Sequence, residues 1–318
     1  MPLYYTTLKG ALAMLQLEAR AKINWTLDIL GRREDGYHLM DMLMQSVCLA
    51  DEVTLTEADT LSLTVRQGSY TTQTSETESS SAPVPTDERN IAYKAALALQ
   101  HRTGCQKGAA ISLTKNIPSG AGMGGGSADA AAVLYGLNKL WGLGLTHEKL
   151  LEIGLTLGAD VPFMLTGGLA RVGGIGECIA PLCPAPQVWL LLIQPCDGLS
   201  TGEIFTAYDS PAPDLLIRHP RTDAAQQALI TGDLVSLAAA MDNVLEGISI
   251  AKRPAIEAAG RQLEAAGALR GMMTGSGSVV YGVFADRAAA EGAKAYFDEL
   301  DVRCLLTCTA ADGIVCKG

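Results

Sequence analysis

The sequence predicts an α+β fold, and three observations lead to that prediction. Residues 17–30 alternate between apolar and polar side chains, which is the period-two pattern of a half-buried β-strand. Residues 115–140 contain a glycine-rich loop followed by an alanine-rich segment with helical spacing. Further along the chain, strand and helix patterns follow one another in no strict strand–helix–strand rhythm, which favours α+β over a doubly wound parallel sheet.

Alternation predicts the strands, spacings of three and four predict the helices, and Ser, Thr and Gly mark their ends. In the first half these signals predict a strand over 17–30, a turn at Asp35-Gly36, a hairpin of 53–55 with 61–65, a helix over 90–100, a strand over 110–115, a helix capped by Ser127, and a helix capped by Thr146 that ends near Gly158. In the second half they predict a buried strand over 187–193, helices over 224–230, 234–241 and 256–266, a glycine-rich turn over 271–278, a strand over 279–284, a helix over 288–299 and a strand over 304–308.

Composition and charge narrow the classes of function. The chain has 318 residues, 48% of them hydrophobic, which is enough for one large domain or two ordinary ones. The net charge of −10 argues against broad binding to nucleic acid or to an anionic membrane, and no apolar run is long enough to cross a bilayer. The eight cysteines include no C-x-x-C pair, so we expect free thiols in a reducing cytoplasm. Residues 1–15 are expected to form a loose extension, and the Ser/Thr/Glu/Pro-rich residues 68–88 a mobile surface insertion.

The glycine-rich loop over residues 118–127 predicts an anion site. Its glycines leave backbone N–H groups bare just before a helix begins, and such groups commonly bind phosphate. The loop matches G-x-G-x-x-G, but residues 140–143 read LWGL where a dinucleotide fold needs an acidic side chain. It is not a Walker A loop either, because no lysine follows Gly126. A lysine must therefore come from elsewhere in the chain.

Five motifs carry a family resemblance: AKIN at 21–24, GRREDGYH at 31–38, PSGAGMGGGSADAA at 118–131, LGADVPF at 157–163 and MTGSGSVVYGVF at 273–284. In this order they resemble the GHMP kinase superfamily, and the resemblance covers about residues 17–300. It implies two α+β domains with the active site in the cleft between them. Residues 1–171 would form the ATP-binding and catalytic domain, and residues 172–318 the substrate domain.

The resemblance also implies roles for individual residues. Lys22 and Asp160 would be the catalytic pair, and the ATP phosphates would lie on the glycine loop. Ser127 would offer its hydroxyl to a phosphate oxygen or to Mg²⁺. The residues implied to bind ATP are Pro118, Gly120, Gly122, Gly124, Gly125, Gly126, Ser127, Asn90, Lys115 and Asp129. Ala128 stands where the family usually has a second serine, so position 128 cannot supply a metal ligand.

The resemblance also implies which residues bind the substrate, and these residues lie outside the glycine loop. Tyr37 and His38 would hold a cytosine, because a planar pyrimidine needs an aromatic face and a hydrogen-bonding edge. Asn24 and Thr201 would also contact substrate. A second glycine turn, formed by Gly275, Ser276 and Gly277, would face the first across the cleft.

The resemblance therefore implies an ATP- and Mg²⁺-dependent kinase that phosphorylates the 2-hydroxyl of a cytidylyl diphosphate of methylerythritol, in non-mevalonate isoprenoid precursor synthesis. Two alternatives stay open. One is another kinase of the superfamily, acting on mevalonate, homoserine or a sugar, which should lack the DGYH motif. The other is a non-catalytic ligand-sensing protein on the same fold, against which the presence of both Lys22 and Asp160 speaks. We expect a cytoplasmic monomer or weak homodimer that binds a small molecule, and neither nucleic acid nor membrane.

Overall fold

A computed structural model describes residues 13–68, 84–182, 187–212, 215 and 217–317. These residues form two β-sheets with helices packed on them, which confirms the α+β class. Most of the expected extension at 1–15 and of the expected insertion at 68–88 lies outside the described residues, although residues 14 and 15 already belong to the first strand. None of the described helices combines the length and the apolar character that crossing a membrane requires.

The strands are β1 (Met14–Arg32), β2 (His38–Ala58), β3 (Ser62–Gln67), β4 (Gly108–Lys115), β5 (Leu169–Gly174), β6 (Cys178–Pro181), β7 (Trp189–Ile193), β8 (Asp242–Asn243), β9 (Arg270–Met273), β10 (Val280–Phe284), β11 (Cys304–Cys308) and β12 (Ile314–Lys317). The first sheet has the order β12-β1-β2-β4-β3, with β5 paired to β2 and β6, and β8 paired to β1. The second sheet has the order β11-β7-β10-β9.

The helices are α1 (Ile91–Thr103), α2 (Gly125–Leu140), α3 (His147–Leu157), α4 (Val161–Thr166), α5 (Thr201–Tyr208), α6 (Thr222–Thr231), α7 (Leu234–Ala240), α8 (Glu246–Lys252), α9 (Ala255–Ala265) and α10 (Arg287–Glu299). The helices and strands predicted after residue 187 all exist, with ends that differ by at most a few residues from the predicted ones. Thr146 caps α3 as predicted, because its side chain accepts a hydrogen bond from the backbone N–H of Lys149.

Two predictions about the first sheet are wrong. The segments 53–55 and 61–65 lie in β2 and β3, but they form no hairpin, since β4 runs between them, antiparallel to β2 and parallel to β3. β1 is also more than half-buried. Its apolar face faces the core, but Lys22, Asn24 and Thr26 on the polar face are also at most 4% exposed. The chain around β9 and β10 covers Asn24, and Lys22 lies against the glycine loop, where its N–H donates to a backbone carbonyl.

Helix α2 lies close against β1 and β2 and places the glycine loop at the edge of the sheet. Its apolar face, including Val133, Leu134 and Leu137, is fully buried. Gly136 allows the close approach, since a Cβ there would lie 2.3 Å from Leu55 Cδ1 and 2.7 Å from Leu17 Cδ1. The rigid helix therefore fixes where the loop before it can lie.

The chain returns to the first sheet more than once. The predicted domain limit between residues 171 and 172 falls inside β5, and β6 continues the same sheet. After the second sheet is complete, β12 pairs with β1. The domain limits stay a prediction, and these strands show that the first sheet draws on residues from both sides of the limit.

Candidate active site

A cavity of about 780 Å³ is bounded by strands of the first sheet, the glycine loop and the second glycine turn. It is lined by every predicted site residue except Gly277: Lys22, Asn24, Tyr37, His38, Asn90, Lys115, Pro118, Gly120, Gly122, Gly124, Gly125, Gly126, Ser127, Asp129, Asp160, Thr201, Gly275 and Ser276. Gly277, the last residue of the second turn, packs against Met273 instead, since a Cβ there would lie 2.6 Å from Met273 Sδ. Side chains far apart in the sequence are thus gathered around one space.

The glycine loop forms the N-terminal end of α2. Gly120, Gly122 and Gly124 have φ values of +62°, +76° and +70°, a region that residues with a Cβ rarely adopt. Gly124 is the N-cap residue, so the prediction that Ser127 caps this helix is wrong. Ser127 lies in the first turn instead, where the N–H groups of a helix have no intrahelical partner. Those groups and the positive end of the helix dipole can bind an anion in the cavity.

The two glycine turns touch through their backbones. A Cβ on Gly122 would lie 2.1 Å from the carbonyl oxygen of Thr274, and one on Gly275 would lie 2.7 Å from that of Gly122. The N–H of Val279 also donates to the carbonyl of Ala121 over 3.3 Å. Only glycine allows this approach, so the second turn holds the first in place.

Lys22 and Asp160 lie on either side of the start of α2. A Cβ on Gly124 would lie 3.4 Å from Lys22 Cγ and 3.5 Å from Asp160 Oδ2. Lys22 is 4% exposed, and its Nζ donates to Asn24 Oδ1 over 2.6 Å. Burial lowers the pKa of Lys22, and the negative charge of Asp160 opposes that shift. The half-buried Asp160 precedes α4, and in the described structure its carboxylate makes no capping bond to that helix.

Asn24 connects this pair to the second sheet. Its backbone N–H donates to Thr274 Oγ1 over 3.1 Å, and its carbonyl accepts from the Tyr281 hydroxyl over 2.7 Å. Neither partner was predictable, because both lie about 250 residues further along the chain. The orientation of the Lys22 ammonium group therefore depends on contact between the two sheets.

The end of the cavity that is predicted to hold adenosine contains a buried charge cluster, which the sequence analysis found only in part. Lys115 forms ion pairs with Asp51, which was missed, and with Asp129, whose Oδ2 lies 2.5 Å from Nζ. Burial raises the pKa of Asp129 to about 7, against the opposing effect of Lys115. Asn90 caps α1, since its Oδ1 accepts from the N–H of Ala92 over 2.9 Å. Each of these side chains thus makes an ion pair or a hydrogen bond within the protein, and its contact with adenosine stays a prediction.

The opposite end combines an aromatic face with a fixed histidine. Tyr37 is exposed, and the His38 ring lies 5.0 Å from Phe205 between ring centroids. His38 Nε2 is 2.7 Å from Asp209 Oδ1, and Arg32 pairs with the other oxygen of Asp209 at 3.2 Å. Because a carboxylate only accepts, Nε2 carries the hydrogen and Nδ1 of the neutral ring is an acceptor.

Phe205 and Asp209 are residues that sequence analysis missed. They lie four and eight positions after the predicted Thr201, and this spacing puts all three on one face of α5. Helical periodicity from Thr201 was therefore a signal that could have found them. Thr201 itself lies beside the second turn, with its Oγ1 2.9 Å from Ser276 Oγ.

Two models of one protein family match the chain. The family model described as GHMP kinases N terminal domain matches residues 90–168, and the one described as GHMP kinases C terminal matches residues 225–301. The 4-diphosphocytidyl-2-C-methyl-D-erythritol kinase of Alkaliphilus metalliredigens (strain QYMF) is 40% identical over 279 residues, 88% of this chain and 91% of that protein. The Bacillus pumilus (strain SAFR-032) protein of the same name is 39% identical over 266 residues, 84% of this chain and 86% of its own.

Solved structures match at the level of the fold. A crystal structure of 4-(cytidine 5'-diphospho)-2C-methyl-D-erythritol kinase has a TM-score of 0.70 and 30% identity, and the match covers 93% of this chain and 99% of that one. A homoserine kinase from Cytophaga hutchinsonii also has a TM-score of 0.70, with 20% identity and coverage of 99% of this chain and 100% of its own. The second likeness shows the fold alone.

Proposed function

The chain belongs to the GHMP kinase family, and we propose that it transfers the γ-phosphoryl group of ATP to the 2-hydroxyl of 4-diphosphocytidyl-2-C-methyl-D-erythritol, a step in non-mevalonate isoprenoid precursor synthesis. One observation carries the proposal. A single cavity is lined by an anion-binding helix terminus, by Lys22 and Asp160, and by a group of Tyr37, His38 and Phe205 that suits a pyrimidine. The names of the relatives at about 40% identity agree with this assignment.

The first turn of α2 would hold the phosphates of ATP through its backbone N–H groups. Phosphoryl transfer passes through a loose transition state, so positioning and neutralisation of charge supply most of the catalysis. Ser127 lines the cavity and offers a hydroxyl oxygen, and oxygen atoms are the ligands Mg²⁺ prefers. When bound, Mg²⁺ would neutralise phosphate charge, and Ser127 is the residue we propose to hold it.

Asp160 would orient the substrate hydroxyl and take its proton late in the reaction. Two unit charges about 4 Å apart attract by roughly 4 kcal/mol at an effective dielectric constant of 20, so a nearby ammonium makes a carboxylate a weak early base. Lys22 would stabilise the charge on the transferring group. Its bond to Asn24 fixes the direction in which its ammonium points.

Tyr37 and Phe205 would contact the cytosine ring through their aromatic faces, and His38 would hydrogen-bond the edge of the same ring. With hydrogen on Nε2, bonded to Asp209, the Nδ1 atom of the neutral ring accepts a hydrogen bond. The exocyclic amino group of cytosine donates one, whereas uracil has a carbonyl oxygen at that position and offers no such donor. The geometry therefore favours a cytidylyl substrate over a uridylyl one.

The test is a coupled assay of ADP release with purified protein. We expect turnover with 4-diphosphocytidyl-2-C-methyl-D-erythritol, and at least tenfold lower kcat/KM with its uridylyl analogue, because a mispaired buried polar group costs about 1–3 kcal/mol. Faster turnover of mevalonate, homoserine or a sugar would replace this proposal by the sister-kinase alternative. Binding of ATP with no transfer to any of these acceptors would support the ligand-sensing alternative.

We also propose that the enzyme acts in the cytoplasm as a monomer or weak homodimer. The free thiols of the described cysteines support a reducing compartment. The net charge of −10 supports action on small molecules rather than on nucleic acid or an anionic membrane. Size-exclusion chromatography with light scattering measures the oligomeric state.

A further inference from the structure

We propose that Cys48 and Cys308 form a redox-active dithiol, which a hydroperoxide converts into a disulfide joining the two sheets. Cys48 lies on β2 in the first sheet, and Cys308 is the last residue of β11 in the second. Their sulfur atoms are 3.2 Å apart. Neither residue takes part in the proposed kinase reaction, so this modification site is independent of it.

The backbone around the two cysteines is already arranged for a disulfide. Val47 and Thr309 form an antiparallel bridge, and the N–H of Ala310 donates to the carbonyl of Ser46 over 2.8 Å. In this register Cys48 lies directly opposite Cys308. Opposed residues of antiparallel strands have Cα atoms about 4.5–5.5 Å apart, within the range of about 4.4–6.8 Å that disulfides span. The bond therefore needs side-chain rotation rather than movement of the sheets.

The pair is accessible to a small oxidant. Cys48 is exposed, and both cysteines line a second cavity of about 390 Å³. The cavity is large enough to admit a small neutral hydroperoxide.

The two thiols have different roles in the reaction. The exposed Cys48 loses its proton to solvent, and its thiolate attacks one oxygen of the peroxide; the O–O bond breaks, sulfenic acid forms, and the released hydroxide takes up a proton to give water. The Cys308 sulfur then attacks the Cys48 sulfur, its proton leaves with the departing hydroxide as water, and the S–S bond forms. Two thiols are thereby oxidised by one peroxide, which is reduced to two waters. Burial raises the pKa of Cys308 to about 11, so it is the protonated, resolving thiol, and Gln187 Nε2 at 3.4 Å can donate to its sulfur.

The experiment uses the full chain treated with about one equivalent of hydrogen peroxide and then alkylated under non-reducing conditions. We expect the loss of two titratable thiols, a peptide pair linked through Cys48 and Cys308, a mass lower by two hydrogens, and full reversal by dithiothreitol. The thermal midpoint should rise in the oxidised form, because the bond closes a loop of most of the chain. Cys48→Ser and Cys308→Ser should each abolish the linked peptide, and Cys178→Ser, which removes another exposed thiol, should retain it.

The outcomes separate the proposal from its alternatives. Sulfinic acid on Cys48 with Cys308 still free would overturn it, as would a linkage of Cys48 to another cysteine or to a second molecule. Cys48 is exposed, so its serine variant should fold normally, and a thermal midpoint equal to that of the reduced wild type checks this. If that variant still lost two thiols to one equivalent of peroxide, the dithiol would lie elsewhere.

Discussion

Replacing Asp160 by asparagine tests the proposed catalytic pair directly, because asparagine keeps the shape of the side chain and removes its charge. Asp160 lies beside the N-terminal end of α2, and its charge opposes the effect of burial on Lys22. The variant keeps a group that can hydrogen-bond the substrate hydroxyl, but that group cannot accept the proton. The change therefore isolates proton transfer and charge from positioning.

The expected loss can be given a magnitude. General acid–base groups contribute typically about 10²- to 10⁴-fold to turnover, which is roughly 3–5 kcal/mol of barrier. We expect kcat to fall by that factor in Asp160→Asn. The affinity for ATP should change by less than about twofold, because the helix terminus that would bind the phosphates is unchanged. Single-turnover phosphoryl transfer measures the first quantity, and fluorescent-nucleotide displacement measures the second.

The pH profile gives a second, independent readout. The proposed role of Lys22 requires its protonated, positively charged form. Burial already lowers the pKa of Lys22, so kcat should fall at alkaline pH as Lys22 loses its proton. Asp160 raises that pKa, and removing its charge lowers the pKa further. The alkaline limb of Asp160→Asn should therefore lie at lower pH than that of the wild type.

A matched control is Glu152→Gln, which removes an exposed carboxylate on α3 whose partners are surface cations. It should leave kcat, ATP affinity and the pH profile unchanged. The reasoning fails if Asp160→Asn turns over at near the wild-type rate. It also fails if the alkaline limb of that variant stays in place, since the charge of Asp160 would then not act on Lys22.

Three further variants test other parts of the structure. Tyr37→Ala should raise KM for the cytidylyl substrate about tenfold or more with no change in KM for ATP, because stacking on a base is worth roughly 1–3 kcal/mol. Equal increases in the two KM values in steady-state kinetics would contradict the stacking role. Gly122→Ala should lower the free energy of unfolding by more than about 1–2 kcal/mol, because φ is +76° and the new Cβ would collide with the carbonyl oxygen of Thr274. Urea denaturation measures this free energy, and a wild-type value would refute the contact between the two glycine turns. Glu246 accepts a hydrogen bond from the N–H of Met273, and burial raises its pKa to about 7. This folded-state pKa lies above the unfolded value of about 4.3. The stability that Glu246 contributes is therefore full below its unfolded pKa of about 4.3 and is lost as pH rises through about 7. Glu246→Gln should therefore gain stability relative to wild type between pH 5 and pH 8, by roughly 3 kcal/mol at most, and parallel stability curves would show that the burial of Glu246 has no such effect.

Local pattern predicted much of this fold, since propensity and spacing act over short stretches. The helices over 224–230 and 256–266 and the strand over 304–308 all exist, because each carries its own periodicity and end signals. Pairing was harder to predict. β4 runs between β2 and β3, and nothing within 53–65 indicates that a strand fifty residues later is their common partner.

The site residues were predictable where a motif carries them and not where packing does. The motifs led to Lys22, Asp160 and the glycine loop, which the structure gathers around one cavity. The burial of Lys22 was not predictable from β1 alone, because it packs against the glycine loop, which lies far along the chain. Asp51 was missed for a related reason, since its buried bond to Lys115 joins two strands and leaves no local pattern.

The pairing of β12 with β1 has a consequence for how the protein is made. β1 is synthesised long before β12, which covers part of its edge, so this part of the edge stays unpaired until the residues of β12 have been made. A nascent chain stalled before residue 314 should therefore be a better client for chaperones that bind exposed strand edges than the released chain. The first sheet is completed only after synthesis has passed through the second.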